Sequence, residues 1–239
     1  QPPPPPAAAP PPPPPADAGP LPPPAPPRPP RAPPRTPLVT AHARLPPRPP
    51  HSHALTDGIV ELWLVRHGET TYNAARRIAG WCDPPLTELG RNQASMVGPL
   101  LDGTTFDSAW SSDLQRAVET SRLAWGEATP DRRLRECNFG AYEGMPFDEV
   151  DAADARVFMG FRDFVMPDGD SHESFFARIG GFVDELPPGR HLLFVHGGVI
   201  RILTQDLGVD RFVPTGSVVG VDWTNRQLLF LKESAPPVE

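Results

Sequence analysis

The pattern of apolar and polar positions starts abruptly at Ile59. Ile59–Val65 is a short run of branched and aromatic residues, the signature of a strand buried on both faces. Thr70–Ile78 predicts a short helix. Thr87 then caps a helical pattern with Leu89, Met96, Val97, Leu100 and Leu101 as its expected core positions. Phe106–Trp110 predicts a second strand. "SSDLQRAVETSRLAW" predicts a helix with a Ser/Asp cap and Leu114, Val118 and Leu123 turned inward. Leu134–Gly144 is irregular and punctuated by glycine, Phe147–Phe164 is helical in part, and Asp168–Ser174 is a loop and helix cap. Ser171–Leu186 predicts a helix stopped by Pro187-Pro188-Gly189. Leu192–Val195 predicts a strand and Val199–Leu207 a helix ended by Gly208. Val218–Trp223 and Leu228–Lys232 predict a closing pair of strands around Asn225-Arg226.

Alternating strands and helices imply an α/β layered domain with a mostly parallel sheet. In such sheets ligands bind beyond the C-terminal strand ends, near a switch in strand order. Two of the apolar runs end in chemistry at that edge. Ile59–Val65 closes on Arg66-His67-Gly68-Glu69, and Leu192–Val195 closes on His196-Gly197-Gly198.

Composition separates this body from what precedes it. Of 37 prolines, 26 lie in residues 1–50, together with five arginines and one acid, Asp17. So little apolar surface cannot offset chain entropy, and the expectation for residues 1–54 is a disordered, polyproline-like segment. Residues 55–239 carry the folded domain. The first 50 residues hold a charge of +4 and the remainder −11 (17 Lys and Arg against 28 Asp and Glu). An acidic body argues against nucleic acid or an anionic membrane as partner, but leaves room for a small anion in a local basic pocket. Cys82 and Cys137 have no metal-ligand spacing, and no HxH or HExxH accompanies His67 or His196, so neither a disulfide framework nor a metal site is expected. With no apolar run of spanning length and no signal-like start, the expected location is the cytoplasm.

The candidate chemistry rests on few residues. An arginine at a strand end needs an anion, because its charge is costly to bury. Gly68 permits close backbone approach there. Of two histidines at one edge, one kept neutral can be a nucleophile and one protonated can donate to a phosphate oxygen. Arg116, pointing away from the inward Leu114 and Val118, reaches such a site only from the first turn of its helix. With Arg66 it would then recognise phosphate oxygens bidentately. Glu136 is a candidate general acid, with Glu69, Asp113 and Glu143 as rivals of the same type. Neighbouring arginines are expected to lower its pKa, so that it acts mainly with a dianion bound.

Taken together, "LVRHGETTYN", "GWCDPPLTELGRNQA", "SSDLQRAVET", "LRECNFGAYEG" and "FVHGGVIR" resemble, in order, the motifs of the histidine phosphatase superfamily. The resemblance covers roughly residues 59–232. It implies a phosphoglycerate mutase-like, three-layer α/β/α sandwich. It also implies a metal-independent phosphomonoesterase, needing no cofactor, that acts on a small phosphorylated metabolite. His67 would be the phosphorylated nucleophile and Glu136 the acid–base residue. Arg66, Arg116 and His196 would hold phosphoryl oxygens, with Asn73 and Gly197 completing the substrate contacts. Within the superfamily the LRE-x-x-FG-x-x-EG pattern of Leu134–Gly144 resembles the broad-specificity and α-ribazole phosphatases. The short, acidic stretch after Glu143 disfavours the mutases. Ala79 stands where relatives often carry a polar residue, which puts one substrate contact in doubt. A homodimer is left open. The alternative functions are a cofactor-dependent phosphoglycerate mutase and, in another class, a scaffold whose proline arm binds an SH3-like or WW-like partner.

No Met precedes Met96, and Pro/Ala/Arg repetition is what GC-rich upstream DNA yields on translation. The expectation is that part of residues 1–54 is absent from the native protein. N-terminal sequencing should then start downstream of about Arg28; reads beginning at or before it would refute this.

Overall fold

The computed structural model describes residues 58–233. The proline-rich segment 1–54, and with it the expected domain boundary, lies outside the described residues.

A six-stranded sheet forms the middle layer. Its strands are β1 (Val60–Arg66), β2 (Ser108–Ser111), β3 (Thr129–Pro130), β4 (Gly189–Val195), β5 (Val218–Asp222) and β6 (Gln227–Lys232). The order across the sheet is β3-β2-β4-β1-β5-β6. The sheet is parallel from β3 through β1 and antiparallel at β5 and β6. The helices are α1 (Thr71–Ala74), α2 (Glu88–Leu101), α3 (Gln115–Ala124), α4 (Ala152–Gly160), α5 (His172–Asp184) and α6 (Gly197–Thr204).

Strand periodicity sorts the two cores. Leu62 and Leu64 of β1, with Leu193 and Val195 of β4, face a core that includes Ile179, Phe182 and Ile200 of α5 and α6. Trp63 and Val65, with Leu192 and Phe194, face Val97, Leu101 and Ala124 of α2 and α3. Alternate residues of a strand point to opposite faces. Continuous apolar runs such as Leu62–Val65 therefore need helices on both sides, and the result is an α/β/α sandwich.

Several local expectations are corrected. The helix predicted over Thr70–Ile78 lasts one turn, held by a capping box between Thr70 and Asn73. Arg76 then adopts a left-handed φ of 52°. In α2 the buried stripe is Gly90, Ala94, Val97 and Leu101, so Met96 is 63% exposed. The stripe starts one residue later than Leu89 because Gly90 makes the close contact. A Cβ on Gly68 would sit 2.1 Å from the Gly90 carbonyl oxygen, and one on Gly90 would sit 2.0 Å from that of Glu69.

In α3 Leu123 is 41% exposed and the buried face is Arg116, Ala117, Thr120, Ser121 and Ala124. This helix turns a polar face inward because it faces the site. Its expected Ser/Asp cap is replaced by a carboxylate from another loop: Asp83 accepts the Gln115 N–H at 2.6 Å. Strand β3 is only two residues long and carries no apolar pattern.

The Gly68–Gly90 contact predicts opposite signs for two similar substitutions. Gly68→Ala should cost about 3 kcal/mol or more in urea unfolding, since backbone must move. Gly181→Ala, in α5 with open space at its Cβ, should raise stability by about 0.5–1 kcal/mol.

Candidate active site

Strand register builds the site. Arg66 lies opposite Val195 in the parallel β1–β4 pair, so the next residues, His67 and His196, leave the sheet side by side. The His67 N–H still donates to the Val195 carbonyl at 3.0 Å. The two rings pack edge to face, with centroids 5.1 Å apart and planes at 63°. Both are buried.

The tautomer of His67 follows from its partner. Its Nδ1 is 2.7 Å from the Gly68 carbonyl oxygen. A carbonyl only accepts, so Nδ1 carries the proton and Nε2 keeps its lone pair. Burial first, then the charges of Arg116 and Arg66, hold His67 well below the ordinary histidine range. His196 is depressed by burial, Arg116, His67 and Arg66. Both imidazoles are therefore held toward the neutral form in the free protein; a protonated partner, as expected opposite a phosphate, would need the charge of the bound anion. Neither ring nitrogen of His196 has a protein hydrogen-bond partner.

Arg116 enters the site from the first turn of α3 and is only 1% exposed, with its side chain turned inward rather than toward solvent. Its guanidinium donates to the carbonyls of Cys82 at 2.8 Å and Gly80 at 2.7 Å, and pairs with Asp83 at 3.3 Å. Arg66 donates to the Val213 carbonyl. The Nε of each arginine is buried without a protein partner.

Glu136 is the carboxylate among these groups. Its Oε1 accepts the Cys137 N–H at 2.8 Å and its Oε2 accepts the Gly198 N–H, at the start of α6, at 2.9 Å. Burial raises its pKa and outweighs those bonds, Arg116 and Arg66. Both arginines do lower it, as expected, but desolvation of a carboxylate inside the protein is the larger effect, so the net direction is upward. Gly198 is required here, since a Cβ would meet Glu136 Oε1 at 2.2 Å.

The rivals of Glu136 hold the scaffold. Glu143 accepts the N–H groups of Trp81, Cys82 and Phe139 at 2.7, 2.8 and 3.1 Å. Asp113 pairs with Arg135 at 2.6 Å, and Glu69 accepts the Thr87 hydroxyl at 2.8 Å.

A cavity of about 310 Å³ opens over Arg66, His67, Asn73, Arg116 and Glu136. Asn73 commits its Oδ1 to the Thr70 N–H at 3.0 Å. His196 and Gly197 stand behind this lining: His196 packs on His67, and a Cβ on Gly197 would lie 3.1 Å from Arg66 Cζ. Among the described residues no group of three or more His, Cys, Asp or Glu is placed to hold a metal ion, and no helix is long and apolar enough to cross a membrane.

Sequence reasoning missed the supports. Thr120 accepts the Gly68 N–H at 3.1 Å and donates to the Arg116 carbonyl at 2.7 Å. Arg178 donates to the carbonyls of Arg133, Arg135 and Glu136 and pairs with Asp170 at 2.8 Å. Thr120 stands four residues after Arg116, a spacing that puts both on one helix face. Arg178 carried no comparable signal.

Comparison with known proteins places the chain in a family. Residues 62–229 match the model of the family described as "Histidine phosphatase superfamily (branch 1)". The Yersinia pestis protein named "Probable phosphoglycerate mutase GpmB" is 35% identical over 161 residues, 62% of this chain and 75% of its own length. The structure of TTHB049 from Thermus thermophilus is 40% identical with a TM-score of 0.68, covering 73% of this chain and 99% of its own. A candidate alpha-ribazole-5'-P phosphatase from Escherichia coli is 27% identical with a TM-score of 0.62, over 75% of this chain and 99% of its own.

The depressed histidines make stability depend on pH. Unfolded histidine binds a proton below about 6.5, while folded His67 and His196 resist it. Stability should therefore fall as pH drops from about 6.5 toward their folded pKa values. In chemical denaturation, the wild type should lose more stability between about pH 7.5 and 5.5 than His196→Gln does. Equal losses would contradict the depressed pKa of His196.

Proposed function

Because the chain belongs to the histidine phosphatase superfamily (branch 1) and is an enzyme of that type, we propose that it hydrolyses a small phosphomonoester through a phosphohistidine, without a metal ion. The observation that carries this reading is the set of buried nitrogens without protein partners, Arg66 Nε, Arg116 Nε and both ring nitrogens of His196. They surround a neutral His67. Buried donors in native proteins are nearly always paired, and a phosphoryl dianion would accept from the two arginine Nε–H groups and from the one His196 nitrogen that carries a proton.

In the first step the His67 Nε2 lone pair attacks phosphorus and the bond to the leaving oxygen breaks. Glu136, which burial pushes toward its protonated form, gives its proton to that oxygen. In the second step Glu136, now a carboxylate, takes a proton from water as the water oxygen attacks phosphorus. The N–P bond breaks, inorganic phosphate leaves, and both residues return to their starting states. Arg66 and Arg116 neutralise the equatorial oxygens throughout. His196 donates its one N–H to a phosphoryl oxygen as the dianion arrives.

The second reading, a phosphoglycerate mutase, draws support from the name of the Yersinia relative. It shares the first step and differs in where the phosphoryl group goes. A mutase assay run beside phosphate release separates the two.

With EDTA present throughout, wild type should form an acid-labile phosphoenzyme from a labelled ester, and His67→Ala should lose labelling and about three orders of magnitude in turnover. Stoichiometric labelling of His67→Ala would falsify the nucleophile assignment. Loss of wild-type activity in EDTA, restored by a divalent ion, would overturn the metal-free scheme.

Glu136→Gln should slow alkyl phosphates about 10²–10⁴-fold and activated aryl phosphates much less. In wild type, kcat/KM should fall on the alkaline side as Glu136 loses its proton, and this limb should be missing in Glu136→Gln. Equal slowing of both ester classes would count against a leaving-group acid.

A further inference from the structure

We infer, building on the phosphomonoesterase reading, that the leaving-group half of the cavity selects an apolar, ring-bearing alcohol over a carboxylate-bearing one. Beyond the phosphate-facing residues the cavity is walled by Ile78, Phe139, Phe147, Phe158, Met159 and Phe212. Arg77 is the only cation lining it outside the phosphate end, among the described residues; it is exposed at the rim, with one Nη1 bond to the Gly144 carbonyl at 2.6 Å. A phosphoglycerate would have to bury its carboxylate against these rings, which is costly without a partner.

The wall is built before any ligand arrives. Phe158 packs against Phe139, Tyr142 and Phe147 with ring centroids 5.3, 5.1 and 6.3 Å apart. On the other side Arg201, buried in α6, ties two wall segments together. It donates to the Met159 carbonyl at 2.8 Å, pairs with Asp210 at 2.9 Å, and stacks 5.0 Å over the Phe212 ring. Rigid aromatic walls bind flat apolar groups at low entropic cost. A volume of about 310 Å³ is at the small end for ligand sites, so beside the phosphoryl group it fits about one ring.

The test compares esters of primary alcohols, so that leaving-group acidity is nearly matched: 2-phenylethyl phosphate against 3-phosphoglycerate and glycerol 3-phosphate. The expected kcat/KM for the phenylethyl ester is at least tenfold higher, mostly through KM. Met159→Arg, at a position 60% exposed and so tolerant of change, should shrink that ratio at least threefold by offering the glycerate a partner. Binding is read separately by calorimetry with benzylphosphonate and phosphonoacetate, which need no turnover. Equal or reversed preference in turnover or in binding, or a ratio unmoved by Met159→Arg, overturns the inference. A kept binding preference for benzylphosphonate with no phosphate release from any ester supports the apolar wall and overturns the hydrolase reading instead.

Discussion

Positive charge in a dry space, with too little protein charge to answer it, is the constraint on which the rest of this structure depends. Arg116 is almost fully buried and Arg66 partly so; both line one cavity with a carboxylate that burial pushes toward its neutral form. Removing charge from water is expensive. The protein meets part of that cost with the carbonyls of Gly80, Cys82 and Val213 and with Asp83. It leaves two guanidinium Nε groups unanswered. The same charges, together with burial, keep His67 and His196 neutral, and neutrality is what a nucleophilic imidazole needs. On the proposed mechanism, one electrostatic arrangement thus prepares the nucleophile, the acid and the anion site at once.

The backbone makes that arrangement obligatory. Parallel pairing of β1 with β4 fixes where His67 and His196 emerge, and a one-residue slip would send each to the opposite face. The Gly68–Gly90 contact pins α2 under the nucleophile loop, and Thr120 ties that loop to the helix carrying Arg116. Glu143 gathers three N–H groups and so holds the Trp81–Cys82 turn, whose Cys82 carbonyl grips Arg116. Arg178 does the same for the Glu136 segment. The polar supports, buried Thr120 and half-buried Glu143 and Arg178, have their partners satisfied, which is how such networks specify one geometry.

The sheet and the chemical residues were legible because their signals are local. An apolar run ending in Arg66-His67-Gly68 announces a strand and a strand-end site, and the ordered motifs announce the family. What was illegible depends on distant partners. Leu123 reads as core on any helical wheel, yet α3 turns Arg116 toward the cavity and Thr120 toward the Gly68 N–H. Met96 reads as core, but Gly90 sets a different rotation of α2. The acidity of Glu136 was misjudged because sequence shows its arginine neighbours and not its burial. Glu143, a rival acid by residue type, proves to be a backbone clamp only once its three donors are seen.

We propose that the unpartnered nitrogens around a neutral His67 form a site for a phosphoryl group in flight, tighter for the five-coordinate geometry than for the resting ion. Calorimetric titration of wild type and His67→Ala with orthovanadate and with inorganic phosphate, in EDTA, tests it most directly. The account predicts one vanadate per chain, bound at least tenfold more tightly than phosphate, with that advantage lost in His67→Ala. Equal affinity for the two ions, or a vanadate preference that survives removal of His67, would contradict it.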